Sequence, residues 1–404
     1  MSRCIATYRI YDDQADFRKK ATSIAVGMTV GSWTELPQAK REAMQQHLGE
    51  VVDIQVNEGW EPGSRYADVS IAYPDINFSR DIPALLVTVF GKISMDGRIK
   101  LTSLDLSPDF LSAFPGPKYG IDGIRDLLGV HDRPLLMSIF KSVIGLNADE
   151  LRTQFVRQAL GGVDLIKDDE ILFENDLTPI EKRVSMCIQA AAEVEQQTGK
   201  KLLYAANLTG RTSKLREQAL RAIDAGANAL LFNVLSYGYD VLHELSADPD
   251  ITVPIAAHPA LAGALYPSPH YGITAPVLLG QLMRIAGADL VLFPSPYGSV
   301  TMPREENLAI RDELHSAKLG VKRSMPVPSA GIHPGLVPRI VRDFGMDVVV
   351  NAGGGIHGHP MGTEAGGKAF VQAIEATMRS LPLAQYAEEH EELKAALDIW
   401  GGEA

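Results

Sequence analysis

The chain is predicted to be an α/β protein, with a C-terminal (β/α)8 TIM barrel over residues 126–404 behind a smaller N-terminal α+β (ferredoxin-like) domain over residues 1–125. Three observations carry this. From about residue 133 short apolar runs alternate with amphipathic helix-like runs. The apolar runs number eight, which favours a closed parallel barrel over an open sheet. Before residue 125 that alternation is lost and strands mix irregularly with helices, as in a small α+β unit.

In the first unit, "CIATYRI" (4–10), "ADVSIAYP" (67–74) and "PALLVTVFGKI" (83–93) are expected strands, with helices around 14–27 and 37–47. The glycine- and proline-rich "FPGPKYGIDGIRDLLG" (114–129) is the expected linker. Barrel strands are expected at 133–140, 162–167, 201–208, 228–234, 253–258, 288–294, 325–330 and 347–353. The intervening helices carry physical start and stop signals. After strand two, Thr178 suits an N-cap, Pro179 the first turn and Glu181 a capping box, with Gly199 as the stop. In the next helix Leu215, Ala219, Ala222 and Ile223 share one face, and Gly226 ends it.

Composition bounds the function classes. The 404 residues exceed one ordinary core and suit a barrel plus a smaller domain. A makeup of 46% apolar and 22% charged residues is that of a soluble globular protein. The net charge of −12, with no basic run, argues against nucleic-acid binding but leaves room for a locally positive site holding a small anion. Only Cys4 and Cys187 are present, so neither a disulfide framework nor a four-cysteine zinc site is available, and a cytoplasmic location is expected. Charges at Arg3, Arg9, Asp12 and Asp13 interrupt any signal-peptide core. Residues 251–283 lack Asp, Glu, Lys and Arg, but five prolines break them; they read as a strand, a loop and a helix start, with no membrane partner implied.

Parallel barrels place their chemistry at the C-terminal ends of the strands. Here those ends carry Lys141, the cluster Lys167, Asp168, Asp169 and Glu170, then Asn207, Asn233, His258, Ser295, Ser329 and the glycines 353 to 355. Within "GGVDLIKDDE" (161–170), Lys167 and Asp169 share a strand face and Glu170 can swing in as the backbone turns. Two carboxylates suit Mg²⁺, but an ammonium beside them repels it. The ten residues alone therefore fit either an ion-paired lysine with no metal or a lysine converted by CO2 into a third oxygen ligand, lysine being the side chain whose pKa moves most readily on burial.

The turns "PSAGIHPG" (328–335) and "NAGGGIHGHP" (351–360) follow strands seven and eight, where barrels often hold phosphate; glycines let backbone N–H groups approach its oxygens. His357 and His359 read as hydrogen-bonded scaffolding rather than zinc ligands. Taken by itself, Lys92 in "TVFGKISMDG" is an ordinary turn lysine.

The set "GGVDLIKDDE", "SAGIHPG" and "NAGGG", ordered along a barrel behind a small α+β unit, resembles the ribulose bisphosphate carboxylase superfamily over nearly the whole chain. The resemblance implies a carbamylated lysine at Lys167, formed with CO2, and one Mg²⁺ per subunit held by Lys167, Asp169 and Glu170. It implies phosphate-binding glycines at Gly353 and Gly354, and substrate contacts at Gly331, His258 and Lys141 as well as at the Lys167–Glu170 cluster, Asp168 included.

Departures from a true carboxylase point elsewhere. Val143 stands where the family's second lysine belongs, Pro259 follows His258 in place of an arginine, and "FPSPYGSVTMPRE" offers no cation before Arg304. Without that cation a developing carboxylate lacks its stabiliser, so enolisation without carboxylation is expected. "VTVFGKIS", "RPLLMSIFK", "LFPSPYGSV" and "NAGGGIHGHP" resemble the carboxylase-like branch that enolises a phosphorylated diketone in methionine salvage. That branch implies Lys92 as the proton acceptor and a homodimer in which Lys92 serves the partner's barrel, with Trp33 and Thr34 near the same shared site. Isomerisation of a related methylthioribulose phosphate and a catalytically silent scaffold are the alternative readings.

Overall fold

The computed structural model describes residues 2–31, 37–298 and 300–402. The N-terminal sheet contains β1 (Arg3–Tyr11), β2 (Glu50–Asn57), β3 (Tyr66–Pro74) and β4 (Ile99–Asp105). They lie in the antiparallel order β4-β1-β3-β2 characteristic of a ferredoxin-like sheet. Along β1 buried and half-buried residues alternate strictly, so Cys4, Ala6, Tyr8 and Ile10 face one core.

The expected strand over 83–93 is instead helical: an α-turn at Ile82–Leu86, a π-turn at Val87–Gly91 and a 3-10 turn at Lys92–Met95. The β-branched run imitates a strand, but Asp81 caps the Ala84 N–H at 2.7 Å and Pro83 pre-sets the first turn. Ile82, Leu85, Val89, Phe90 and Ile93 are buried at helical spacing while Val87 is exposed. Strands β2 and β4, with their interleaved polar residues, escape the apolar pattern.

The barrel follows with β5 (Leu135–Ile139), β6 (Leu165–Lys167), β7 (Leu203–Leu208), β8 (Ala229–Phe232), β9 (Ile255–Ala257), β11 (Leu290–Pro294), β12 (Met325–Ser329) and β13 (Val349–Ala352); the short β10 (Gly272–Ile273) lies outside it. Every expected barrel strand is present. Seven neighbouring pairs are joined by parallel ladders from β12 round to β13. Across the remaining seam, between β12 and β13, the Asn351 amide donates to Ser329 Oγ at 2.8 Å. Among the described residues no helix is long and apolar enough to cross a membrane.

Two details of the expected helices change. The helix after β6 begins at Ile180 without a side-chain cap; the Thr178 hydroxyl donates to Asn175 Oδ1 at 3.3 Å, and Glu181 pairs with Arg221, so no capping box forms. The expected linker ends in a helix, Gly120–Leu128. Its Ile121, Ile124 and Leu128 join the buried cluster of inward-facing barrel residues and close the barrel floor.

That floor is stapled by Asp289, which is buried and accepts from the N–H groups of Tyr119 (2.7 Å), Gly120 (2.8 Å) and Ile255 (2.9 Å). On the other side, Lys100 of β4 donates to the carbonyls of Tyr266 (2.6 Å) and Ser268 (2.7 Å), and β10 pairs with β4. The loop after β9 is thereby fastened to the N-terminal sheet. Asp289→Ala strands two buried donors and one part-buried donor, and the expected loss of stability is about 2–4 kcal/mol, read from the denaturant midpoint.

Candidate active site

Strand alternation decides which side chains meet at the mouth. Leu165 faces the barrel interior and Ile166 the surrounding helices, which carries Lys167 and Asp169 inward and Asp168 outward. The same parity, set by Met137 on β5, Ala205 on β7, Leu231 on β8, Ala256 on β9, Val327 on β12 and Val349 on β13, aims Lys141, Asn207, Asn233, His258, Ser329, Asn351 and Gly353 inward.

Lys167 is 1% exposed, so its amine has lost nearly all contact with water. Burial, opposed by Glu170 and Asp169 and reinforced by Lys141, pulls its pKa down to about 8. Its Nζ donates to the Asp168 carbonyl at 2.8 Å and lies 3.8 Å from Glu170 Oε2. Asp169 Oδ2 accepts from Lys141 at 2.7 Å. The Glu170 backbone carbonyl accepts from the amides of both Asn207 (3.0 Å) and Asn233 (3.2 Å), which aims its carboxylate across the mouth. His258 Nε2 lies 3.6 Å from that carboxylate. The Ala260 N–H donates to His258 Nδ1 at 3.2 Å, so the ring proton sits on Nε2, and burial together with Lys167 and Lys141 keeps the imidazole neutral.

Asp168 does not belong with the substrate-facing set. It is fully buried on the helix side, where Oδ1 accepts from Tyr204 (2.6 Å) and Oδ2 from the Asn207 N–H (2.8 Å), with Arg183 Nη2 at 3.1 Å. Sequence reasoning missed Arg183 and Tyr204. The usable signal was an arginine on the apolar face Ile180, Val184, Cys187, since a cation there requires a buried acid. Ser295 also departs from the expected rim: its parity is outward, and its hydroxyl donates to the Ala330 carbonyl at 3.0 Å.

The mouth holds a pocket of about 470 Å³. One side is charged and glycine-lined: Lys141, Lys167, Glu170, Gly331, Gly353 and Gly354. The other is apolar: Pro259, Ala260, Ala262, Tyr266, Pro294 and Val300. Gly331 has φ +68°, a conformation that favours glycine. A Cβ on Gly355 would fall 2.3 Å from the Ile332 carbonyl, so the last glycine of the triplet serves close packing. His357 bonds the Ile139 carbonyl at 2.7 Å and His359 the Glu392 carbonyl at 2.8 Å; both are scaffolding.

Lys92 is exposed and lines a different cleft, of about 1200 Å³, beside Asp16, Lys19 and Met95. One chain therefore does not bring Lys92 to its own barrel mouth. Trp33 and Thr34 lie outside the described residues.

Among the described residues no three His, Cys, Asp or Glu side chains converge as a ready ion site. A three-ligand set at this mouth needs Lys167 as its third member beside Asp169 and Glu170. The donor chemistry fits a hard divalent cation on that condition: two carboxylates, and an amine whose uncharged form burial has made accessible. The neighbouring acids are separable by experiment. Asp168→Asn breaks a fully buried pair, with an expected loss of about 3–5 kcal/mol in urea or thermal unfolding. Asp169→Asn removes only a pair to the half-exposed Lys141 and should cost less than about 1 kcal/mol by the same measurement.

Comparison with known proteins agrees with this geometry. Residues 2–107 match the family described as ribulose bisphosphate carboxylase large chain, N-terminal domain, and residues 120–400 match its catalytic domain. A protein named 2,3-diketo-5-methylthiopentyl-1-phosphate enolase from Geobacillus thermodenitrificans is 54% identical, covering 99% of this chain and 98% of its own. One of the same name from Bacillus cereus is 55% identical with the same coverage. The crystal structure of a rubisco-like protein (MtnW) from Alicyclobacillus acidocaldarius superposes with a TM-score of 0.94 at 50% identity, covering 99% of this chain and all of that one. The chain belongs to the ribulose bisphosphate carboxylase large-chain family.

Proposed function

We propose that this protein is the Mg²⁺-dependent enolase of methionine salvage, tautomerising 2,3-diketo-5-methylthiopentyl-1-phosphate to 2-hydroxy-3-keto-5-methylthiopentenyl-1-phosphate. The observation that carries the reading is the desolvated Lys167 amine, facing inward beside Asp169 and Glu170 at a mouth with one glycine-lined wall beside Lys141 and one apolar wall. A substrate with phosphate at one end and a thioether at the other matches both walls. The enolase names of relatives at 54% and 55% identity support the same reaction.

With Lys167 carbamylated by CO2, Lys167, Asp169 and Glu170 would hold Mg²⁺, which would supply Lewis-acid polarisation for the substrate's carbonyl chemistry. The chain's own groups do the rest. Backbone N–H groups at Gly331, Gly353 and Gly354 bind the phosphate, and Lys141 adds positive charge on that side. His258, neutral with its proton on Nε2, offers a donor toward the substrate oxygens. Lys92 Nζ accepts the proton from C1. Because Lys92 lines a separate cleft of its own chain, the reading includes a cytoplasmic homodimer in which each barrel borrows Lys92 from the partner. The loop that holds a carboxylase's cation offers none here before Arg304, whose guanidinium is turned to Asp343 at 2.6 Å.

Consumption of the diketone, followed optically with Mg²⁺ and bicarbonate, tests the reading. Lys92→Ala should lower kcat by about 10²–10⁴-fold, and Lys167→Ala should abolish Mg²⁺-dependent turnover. Mixing the two inactive variants should restore activity toward roughly a quarter of wild type, since half of the dimers become mixed and each of these has one complete site. Near-normal turnover by Lys92→Ala would refute the assigned base. Turnover of methylthioribulose phosphate but not of the diketone would replace the enolase with the isomerase, and no turnover of either would leave the silent scaffold.

A further inference from the structure

The described residues of the loop after β11, 295–298 and 300–303, are clasped from outside the pocket. The Tyr297 hydroxyl donates to the Asp343 carboxylate, which is 3% exposed and belongs to the helix Val337–Phe344 that follows β12. Asp343 also accepts from Arg304 Nη2 at 2.6 Å and from its Nε at 3.1 Å, and the Arg339 guanidinium covers the Tyr297 ring at 4.9 Å. Burial and the adjacent carboxylate push the Tyr297 pKa up, so the phenol keeps its proton and remains the donor.

What the clasped loop presses on is a strained turn. Ala330 has φ +73° and Gly331 φ +68°, two left-handed residues in succession, and for alanine that conformation costs about 1 kcal/mol or more. Ser295 holds the Ala330 carbonyl at 3.0 Å and donates its own N–H to the Ser329 carbonyl at 2.7 Å. Gly298 packs so closely that a Cβ there would fall 1.9 Å from the Ala330 oxygen. Ala330, Gly331 and Val300 all line the substrate pocket.

We propose that Tyr297 and Asp343 are positioning residues: their bond holds the loop after β11 against the Ala330–Gly331 turn and so fixes the wall on which the phosphorylated substrate binds. Neither side chain lines the pocket, so the effect passes through the loop. The inference deepens the enolase reading and rests on it for substrate, while the loop itself is tested independently.

The experiment compares wild type with Tyr297→Phe, which keeps the ring beneath Arg339 and removes only the hydroxyl. Hydrogen exchange of amides 295–302 should quicken by about tenfold in the variant, with exchange elsewhere and the thermal midpoint little changed. KM for the phosphorylated diketone should rise by about tenfold while kcat falls by less than about threefold. Asp343→Asn keeps an acceptor for the phenol but also weakens the Arg304 pair, and Tyr297→Phe combined with Asp343→Asn should raise exchange and KM by less than the sum of the two single changes. Faster exchange without a KM change overturns the inference, as does unchanged exchange, or parallel collapse of kcat and thermal midpoint. Failure of wild type to turn over the diketone refutes the enolase reading instead, and the exchange comparison still decides whether the clasp holds the loop.

Discussion

The structure turns on one constraint: the two-residue period of β6 drives the Lys167 side chain into the barrel, where water does not reach it. A buried ammonium is costly unless charge and hydrogen bonds compensate it. Here compensation is partial, with one carbonyl at 2.8 Å and one carboxylate oxygen at 3.8 Å. The amine is thus left near the balance between its charged and uncharged forms. Full pairing would lock it as an ammonium, and an apolar pocket would leave it without oxygen neighbours. The placement leaves Lys167 with only a long pair to Glu170 and an amine open to chemistry.

The acids that follow divide their work by the same alternation. Asp168, turned outward, is consumed by Arg183, Tyr204 and the Asn207 N–H, and anchors β6 to β7 and to the helix behind them. Asp169, turned inward, meets Lys141 across the mouth. Glu170 comes where the strand has ended, and its direction is set through its carbonyl by Asn207 and Asn233. Asn207 joins the two sides: its N–H satisfies Asp168 and its amide holds Glu170. The scaffold behind β6 and the chemistry before it are thereby coupled through one residue.

The barrel was readable because its signals are local. Each strand is an apolar run, and counting residues by twos from that run gives the inward set at the mouth, so Lys141, Lys167, Asp169 and His258 fall out of parity alone. The same parity turns Ser295 and Asp168 outward, which a reading of the strand ends as a single rim overlooks; the partners that hold Asp168 there lie 15 residues or more away in sequence. The small domain was read less well for a similar reason. At 82–93 a β-branched run hides a helical burial period, and the decisive signals were the capping Asp81 and Pro83. The Tyr297–Asp343 clasp joins segments 46 residues apart and has no sequence signature at all. Lys92 shows the limit of one chain: neither pattern nor packing within it explains that lysine, and the role proposed for it rests on the family resemblance and the proposed homodimer.

The central claim is that the Lys167 amine, made reactive by burial, becomes an oxygen ligand. Isotopically labelled bicarbonate added with Mg²⁺ tests it directly, by nuclear magnetic resonance of the labelled carbon. The account predicts one carbamate signal per subunit in wild type and its disappearance in Lys167→Ala. Absence of the signal from wild type, or its persistence in Lys167→Ala, would contradict the account.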